Sequence, residues 1–269
     1  MRKRHMHYAD NLYSSDPLLI TKMLHHFTRT LEETPEMMWR LDMLVTYGII
    51  VPHGEWEVSG FTANMAYRVL AGSPVDTVVV IGPSHHVGLK GISITEDELY
   101  ETPMGDIAID TNLVQYIKNN FDVVSYPLAH SEHSTEVQMP FIHHYLPNAK
   151  VVELVYGFAT VESLEPIISY LLENRRYAVV ISTDLSHFHT QEDANALDAM
   201  CIDAIRQGNI ELFEDGCEAC GAIGVKALLL AAQKEDLEGI LLDYSTSADA
   251  NGDTSSVVGY MSALFQEKL

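Results

Sequence analysis

The sequence predicts a single α/β domain over residues 1–269, with a mostly parallel, mixed central sheet flanked by helices. Three observations lead there. Val78-Val79-Val80-Ile81 is a run of apolar, mostly β-branched residues, which reads as a strand buried on both faces; Ile49-Ile50-Val51 and Val179-Val180-Ile181 repeat the pattern. Helical segments alternate with these strands in the order of βαβ construction. No linker, internal repeat or low-complexity segment divides the 269 residues.

Taken in order, Ser15-Asp16-Pro17 places a capping side chain before a first-turn proline. Ile20, Met23, Leu24, Phe27 and Leu31 then keep helical spacing. Residues 34–40 read as a polar connection, followed by the strand ending at Val51 and a loop over 52–60. A helix is predicted over 61–70, ended by Gly72-Ser73-Pro74. The central strand stops at Gly82-Pro83, which cannot continue a ladder. The segments 91–95 and 106–110 predict a β-hairpin carrying Thr102-Pro103-Met104-Gly105. A helix through Leu113, Tyr116 and Ile117 and a short strand over 122–126 follow. The polar cluster at 129–138 opens a helix to about Tyr145. A strand over 151–155, a helix through Leu164, Ile167, Ile168 and Leu171, and a strand over 178–181 come next. Helices over 193–206, 210–213 and 222–233 lead to strands over 240–244 and 257–263, around a polar loop with Asn251-Gly252-Asp253.

Composition narrows the function. The formal net charge of −22, from 38 acidic and 16 basic residues, repels phosphate backbones, so nucleic acid is not an expected partner. No apolar run approaches the ~20 residues that span a bilayer, so no membrane partner is expected. The basic start, Met1-Arg2-Lys3-Arg4, lacks a following apolar region, which excludes a secretory signal and gives a cytoplasmic expectation. Three clustered cysteines, Cys201, Cys217 and Cys220, are not the pattern of a disulfide framework; a thiol with a chemical role is expected among them.

The chemistry concentrates at strand ends. His53, His85 and His187 each follow a buried strand, and the carboxyl edge of a parallel sheet is where ligands bind. Taken singly, each could be a hydrogen-bonded structural residue. Cys220 stands just before a helix, where orphan amides lower a thiol's pKa and favour thiolate; the bland alternative is a buried inert cysteine. Two imidazoles and one thiolate make a three-ligand set with a position left open. Cys217-Glu218-Ala219-Cys220 is formally a CxxC, but no second CxxC completes a zinc knuckle. Asp184 could fix the tautomer of His187, making His187 a general acid/base, or could cap its loop. Glu132, His133 and Glu136 either cap a helix or contact substrate. His25, His26, His143 and His144 read as surface or core-edge residues on helices, and His86 is expected to point away from the site.

Several stretches together resemble the Memo-like family, also called AmmeMemoRadiSam system protein B. They are Val51-Pro52-His53 with Ser59-Gly60, Ile81-Gly82-Pro83-Ser84-His85-His86, Thr102-Pro103-Met104-Gly105-Asp106, Glu132 through Phe141, Ser182-Thr183-Asp184-Leu185-Ser186-His187, Ala219-Cys220-Gly221, and Gly252-Asp253 before Val257-Val258-Gly259-Tyr260. The resemblance implies a fold like that of class III extradiol ring-cleaving dioxygenases. It also implies that His53, His85 and Cys220 contact metal, with Asp184 and His187 beside them in the pocket. Those dioxygenases hold iron(II) with two histidines and a carboxylate; Cys220 replaces the carboxylate here. The loop Gly54-Glu55-Trp56 and the opening Ala9-Asp10-Asn11-Leu12-Tyr13 depart from the family pattern. The expected function is a metal-dependent redox enzyme acting on a small molecule, with aromatic compounds among the candidates. Its ion would be iron(II), with copper or zinc as alternatives, and a radical SAM protein of the same system would be a partner. A non-catalytic metal-binding or adaptor protein and a zinc hydrolase are the rival readings.

Overall fold

The computed structural model describes residues 1–33 and 35–268. Its strands are β1 (Lys3–Arg4), β2 (Gly48–Val51), β3 (Thr77–Pro83), β4 (Ile92–Ile94), β5 (Leu99–Thr102), β6 (Gly105–Ala108), β7 (Lys150–Tyr156), β8 (Tyr177–Ser182), β9 (His187–His189), β10 (Leu237–Thr246) and β11 (Val257–Glu267). The main sheet has the order β10-β11-β2-β8-β3-β7-β4, with β9 paired to β11. Its centre, β2-β8-β3-β7, is parallel. Both margins are antiparallel. The fold is α/β with mixed sheets flanked by helices, and the parallel part is the middle four strands rather than most of the sheet. A second sheet, β1-β5-β6, stands apart from it.

The residues that predicted the central strands are wholly buried: Ile49, Val78, Val79, Val80, Ile81, Val179 and Val180 are all 0% exposed. Such runs hold only where helices cover both faces. Helices Val161–Glu173 and Ala222–Lys234 pack on one another, as do Trp56–Leu70 and Met139–Tyr145. Register sets the site. Val51 lies opposite Ser182, and Pro83 opposite Tyr156, so β2, β3, β7 and β8 end in line. Their next residues therefore emerge along one rim.

The helix expected over 61–70 starts at Trp56 instead. The Trp56 indole is buried against Phe141, 4.1 Å between ring centroids, and its Nε1 donates to the Val137 carbonyl, which draws residues 56–60 into the helix. Gly60 fits inside that helix because any Cβ there would lie 2.8 Å from the Phe27 ring. Pro35–Asp42 is helical where a polar connection is expected; Thr34 lies outside the described residues. The hairpin pairs β6 with β5, while β4 joins the main sheet. No strand forms over 122–126; Val124 makes one bridge to Ser93 before the turn Pro127–His130. The helix expected from the polar cluster breaks into His133–Glu136 and Met139–Tyr145, since Pro140 has no amide hydrogen for an unbroken ladder.

Cys201 and Cys217 are disulfide-bonded, contrary to the sequence expectation, and Cys220 is the free thiol. The short turn Ile210–Asp215 folds the chain back so that the two Cα atoms come 5.0 Å apart, within bridging range.

Candidate metal centre

His53 follows β2, His85 follows β3, and Cys220 leads into helix Ala222–Lys234. The ligating atoms of these three residues lie within 4.8 Å of one another, with His53 Nε2 3.4 Å from Cys220 Sγ. Gly221 makes this approach possible: its backbone rests on β8 so closely that a Cβ would lie 2.6 Å from the Thr183 Cβ.

Hydrogen bonds fix both imidazoles in one tautomer. The Ser182 hydroxyl donates to the Ser134 carbonyl, so its oxygen can only accept from His53 Nδ1, 3.0 Å away. The Glu132 carboxylate likewise accepts from His85 Nδ1 at 3.0 Å. Each ring therefore carries its hydrogen on Nδ1 and its lone pair on Nε2, which in His53 lies 3.4 Å from Cys220 Sγ, the form a metal binds.

Electrostatics keep His53 neutral. Burial, reinforced by His85 and His133, lowers its pKa from the usual 6.5 to about 4, against the pull of Asp184. Burial, with the Asp184 charge, pushes the Cys220 thiol up to about 12. The donors that should favour thiolate are present, including the Asp184 amide at 3.3 Å, but desolvation outweighs them. The sequence expectation of a low-pKa thiol is thus reversed in the metal-free protein; a cation on Sγ would displace the thiol proton.

Glu132 is the hub on the other side. It is 1% exposed, caps helix His133–Glu136 through the Ser134 amide, takes the His85 amide and the His85 ring hydrogen, and places Oε1 2.9 Å from His133 Nδ1. Burial opposes ionisation, yet these hydrogen bonds hold its carboxyl far below the ordinary range. The His133 ring stands 5.3 Å from His53 and 4.6 Å from His85, centroid to centroid. His86, expected to point away from the site, borders the same cavity as Cys220, meets His133 at 3.0 Å and stacks on Tyr8.

Asp184 belongs to the cluster: Oδ1 accepts the His53 amide at 2.7 Å, and Oδ2 lies 3.8 Å from His53 Nε2. It is not paired with His187, whose strand β9 is carried off by pairing with Val258 on β11. Among the described residues the His187 ring makes no hydrogen bond. Glu136 is also placed elsewhere. It is fully buried and accepts from Arg4, the Tyr13 hydroxyl and the amides of His7 and Tyr8, so it fastens the N-terminal segment instead of facing the cluster. Sequence reasoning did not single out Ser182, although it ends the strand that carries Asp184 and could have been read as an orienting group.

The His53 shift has a consequence for stability. The unfolded chain protonates this imidazole near pH 6.5 and the folded one near pH 4, so the stability it contributes is present above 6.5 and lost as the pH falls toward 4. The loss amounts to about 3 kcal/mol. Urea unfolding of metal-free protein at pH 7.5 and 4.5 should show it, and His53→Asn should flatten the difference. An unchanged slope in that variant would contradict the assignment.

A profile for the family described as Memo-like protein matches residues 4–264. Similar proteins include a MEMO1 family protein of Methanocaldococcus jannaschii, 34% identical over 241 residues (81% of this chain, 83% of that one). Another from Methanobrevibacter smithii is 32% identical over 235 residues, covering 81% and 82%. One from Methanopyrus kandleri is 30% identical over 280 aligned positions, covering 96% and 97%.

Proposed function

The chain belongs to the Memo-like family, and from that premise we propose that it is a metal-dependent redox enzyme with one ion held by His53 Nε2, His85 Nε2 and Cys220 Sγ. The observation that supports this most is the pair of fixed tautomers: two buried hydrogen-bond acceptors hold the Nδ1 hydrogens, which leaves both Nε2 lone pairs free in a cluster whose ligating atoms lie within 4.8 Å of one another. A neutral His53 and a displaceable thiol proton suit the same reading. A bound redox-active ion, iron(II) first and copper second, would supply oxygen and electron chemistry at the coordination position left open, in the manner of class III extradiol dioxygenases.

The chain's own groups do the rest. Glu132 fixes the rings of His85 and His133, which leaves the other nitrogen of His133 able to move a proton at the site. Asp184 holds the His53 backbone and adds negative charge beside the ligands. A small molecule enters through a cavity of about 370 Å³ bordered by His85 and Cys220. We place the protein in the cytoplasm; no helix of the described residues is long and apolar enough to cross a membrane.

Protein purified without air should retain close to one equivalent of iron, measured by elemental mass spectrometry, and consume oxygen with a suitable aromatic diol. Tightly held zinc with no oxygen uptake would replace this reading with a hydrolytic one, since a thiolate-containing set also suits zinc. Purified protein that neither keeps nor takes up any divalent metal would end it.

A further inference from the structure

We propose that the cavity beside Cys220 takes an uncharged, flat small molecule seated against the ring of Phe158. The proposal rests on the metal-centre reading for where the reacting atoms sit, and it adds the chemistry of what binds there.

The first support is charge. One residue in five of this chain is charged, yet the twelve that line the cavity include no Asp, Glu, Lys or Arg. Two carboxylates beside lining residues, Glu132 and Asp184, are 1% and 5% exposed and already engaged with amides and imidazoles, so neither offers an ion pair to a ligand. Lys90 is exposed and pairs with Phe158 through a backbone bridge, but is not part of the lining. Burying a charged group without a partner is costly. A chain with net charge −22 also repels anions at long range. The lining side chains therefore offer a charged ligand of either sign no ion-pair partner.

The second support is Phe158. Its side chain is 81% exposed at the cavity edge, although hiding such a ring from water is worth roughly 1.5–3 kcal/mol. The backbone beneath it is held firmly: the Phe158 amide donates to the Leu89 carbonyl at 2.8 Å, and its carbonyl accepts from Gly91 at 3.1 Å. The preceding Gly157 lies so close that a Cβ would fall 2.1 Å from the Leu89 oxygen, so only glycine lets the two segments meet. The ring is thus presented to water on a fixed stretch of backbone. Leu89 and Ile223 give the cavity apolar walls, while Ser84 and the histidines at one end give few polar groups to orient a ligand. Its volume, about 370 Å³, is at the small end of ligand pockets and fits a molecule of one ring.

The test uses three fluorinated probes of one size: 4-fluorophenol, 4-fluorobenzoate and 4-fluorobenzylamine. Their binding is measured by fluorine NMR to the full chain, both zinc-loaded and metal-free, at pH 7.5, with zinc content determined on every sample. In the metal-free protein, where no cation attracts the benzoate, the phenol should bind at least about tenfold more tightly than either charged probe, and Phe158→Ala should weaken it about tenfold while leaving the zinc content of the loaded sample unchanged. Lys90→Ala should leave benzoate binding as weak as before. Benzoate or benzylamine binding as well as the phenol would overturn the proposal, as would an unaltered phenol affinity in Phe158→Ala or no binding of any probe at 10 mM. A protein that takes up neither iron(II), copper nor zinc but keeps the preference for the phenol would refute the metal-centre reading alone.

Discussion

Replacing Arg4 by methionine is expected to destabilise the protein by about 3–5 kcal/mol, the cost of leaving buried carboxylates without their cation. The Arg4 side chain is 2% exposed and contacts Glu136; its guanidinium also reaches the Glu132 carbonyl at 3.2 Å and lies 4.7 Å from the centre of the Tyr100 ring. Glu153, also fully buried, stands 4.0 Å away and is held by His130, Thr135 and Tyr100. Removing the one guanidinium strands both acids in a medium that solvates charge poorly. Urea denaturation gives the number. Adding Glu136→Gln should restore part of the loss, because it deletes one of the uncompensated charges. A loss under about 1 kcal/mol for Arg4→Met would show that water reaches these carboxylates.

The second large effect is on metal. Cys220→Ser is expected to weaken metal retention roughly 100-fold or more, beyond the 10–100-fold typical of losing a group that merely supports a ligand. A serine hydroxyl is a poorer donor for a transition ion than sulfur and gives up its proton less readily. The metal-free variant should fold as well as the parent, since a hydroxyl fits the same space and Thr183 and Asp184 still surround it. Competition with a chelator of known affinity reads the change, and circular dichroism confirms the fold. Equal metal affinity in the parent and in Cys220→Ser would remove the sulfur from the ligand set.

Much of this was legible in the sequence because buried parallel strands advertise themselves. Val78 to Ile81 can be nothing but a strand covered on both sides, and the polar residues just past it must lie at the sheet's carboxyl edge. That logic put His53, His85 and Asp184 near one another, as the structure has them. It failed for His187, because a strand end says nothing about whether the next few residues stay at the rim; pairing with β11 carries His187 into a separate ladder. It failed for Glu136 because a carboxylate at a helix start looks alike whether it faces a pocket or receives an arginine from 132 positions away. The thiol went the other way from expectation because a helix start favours thiolate locally, whereas desolvation depends on everything packed around the sulfur. The Cys201–Cys217 bond was hidden by an odd cysteine count, and Trp56 was read as loop because its packing partner, Phe141, is remote in sequence.

Glu132 serves two histidines with a single oxygen. Substitutions at these three positions will therefore not act independently: once the carboxylate is gone, losing either ring should matter less, and the double variants should fall short of the sum of the singles. Epistasis of that kind would be the genetic signature of a shared acceptor, visible in a mutational scan before any metal is measured.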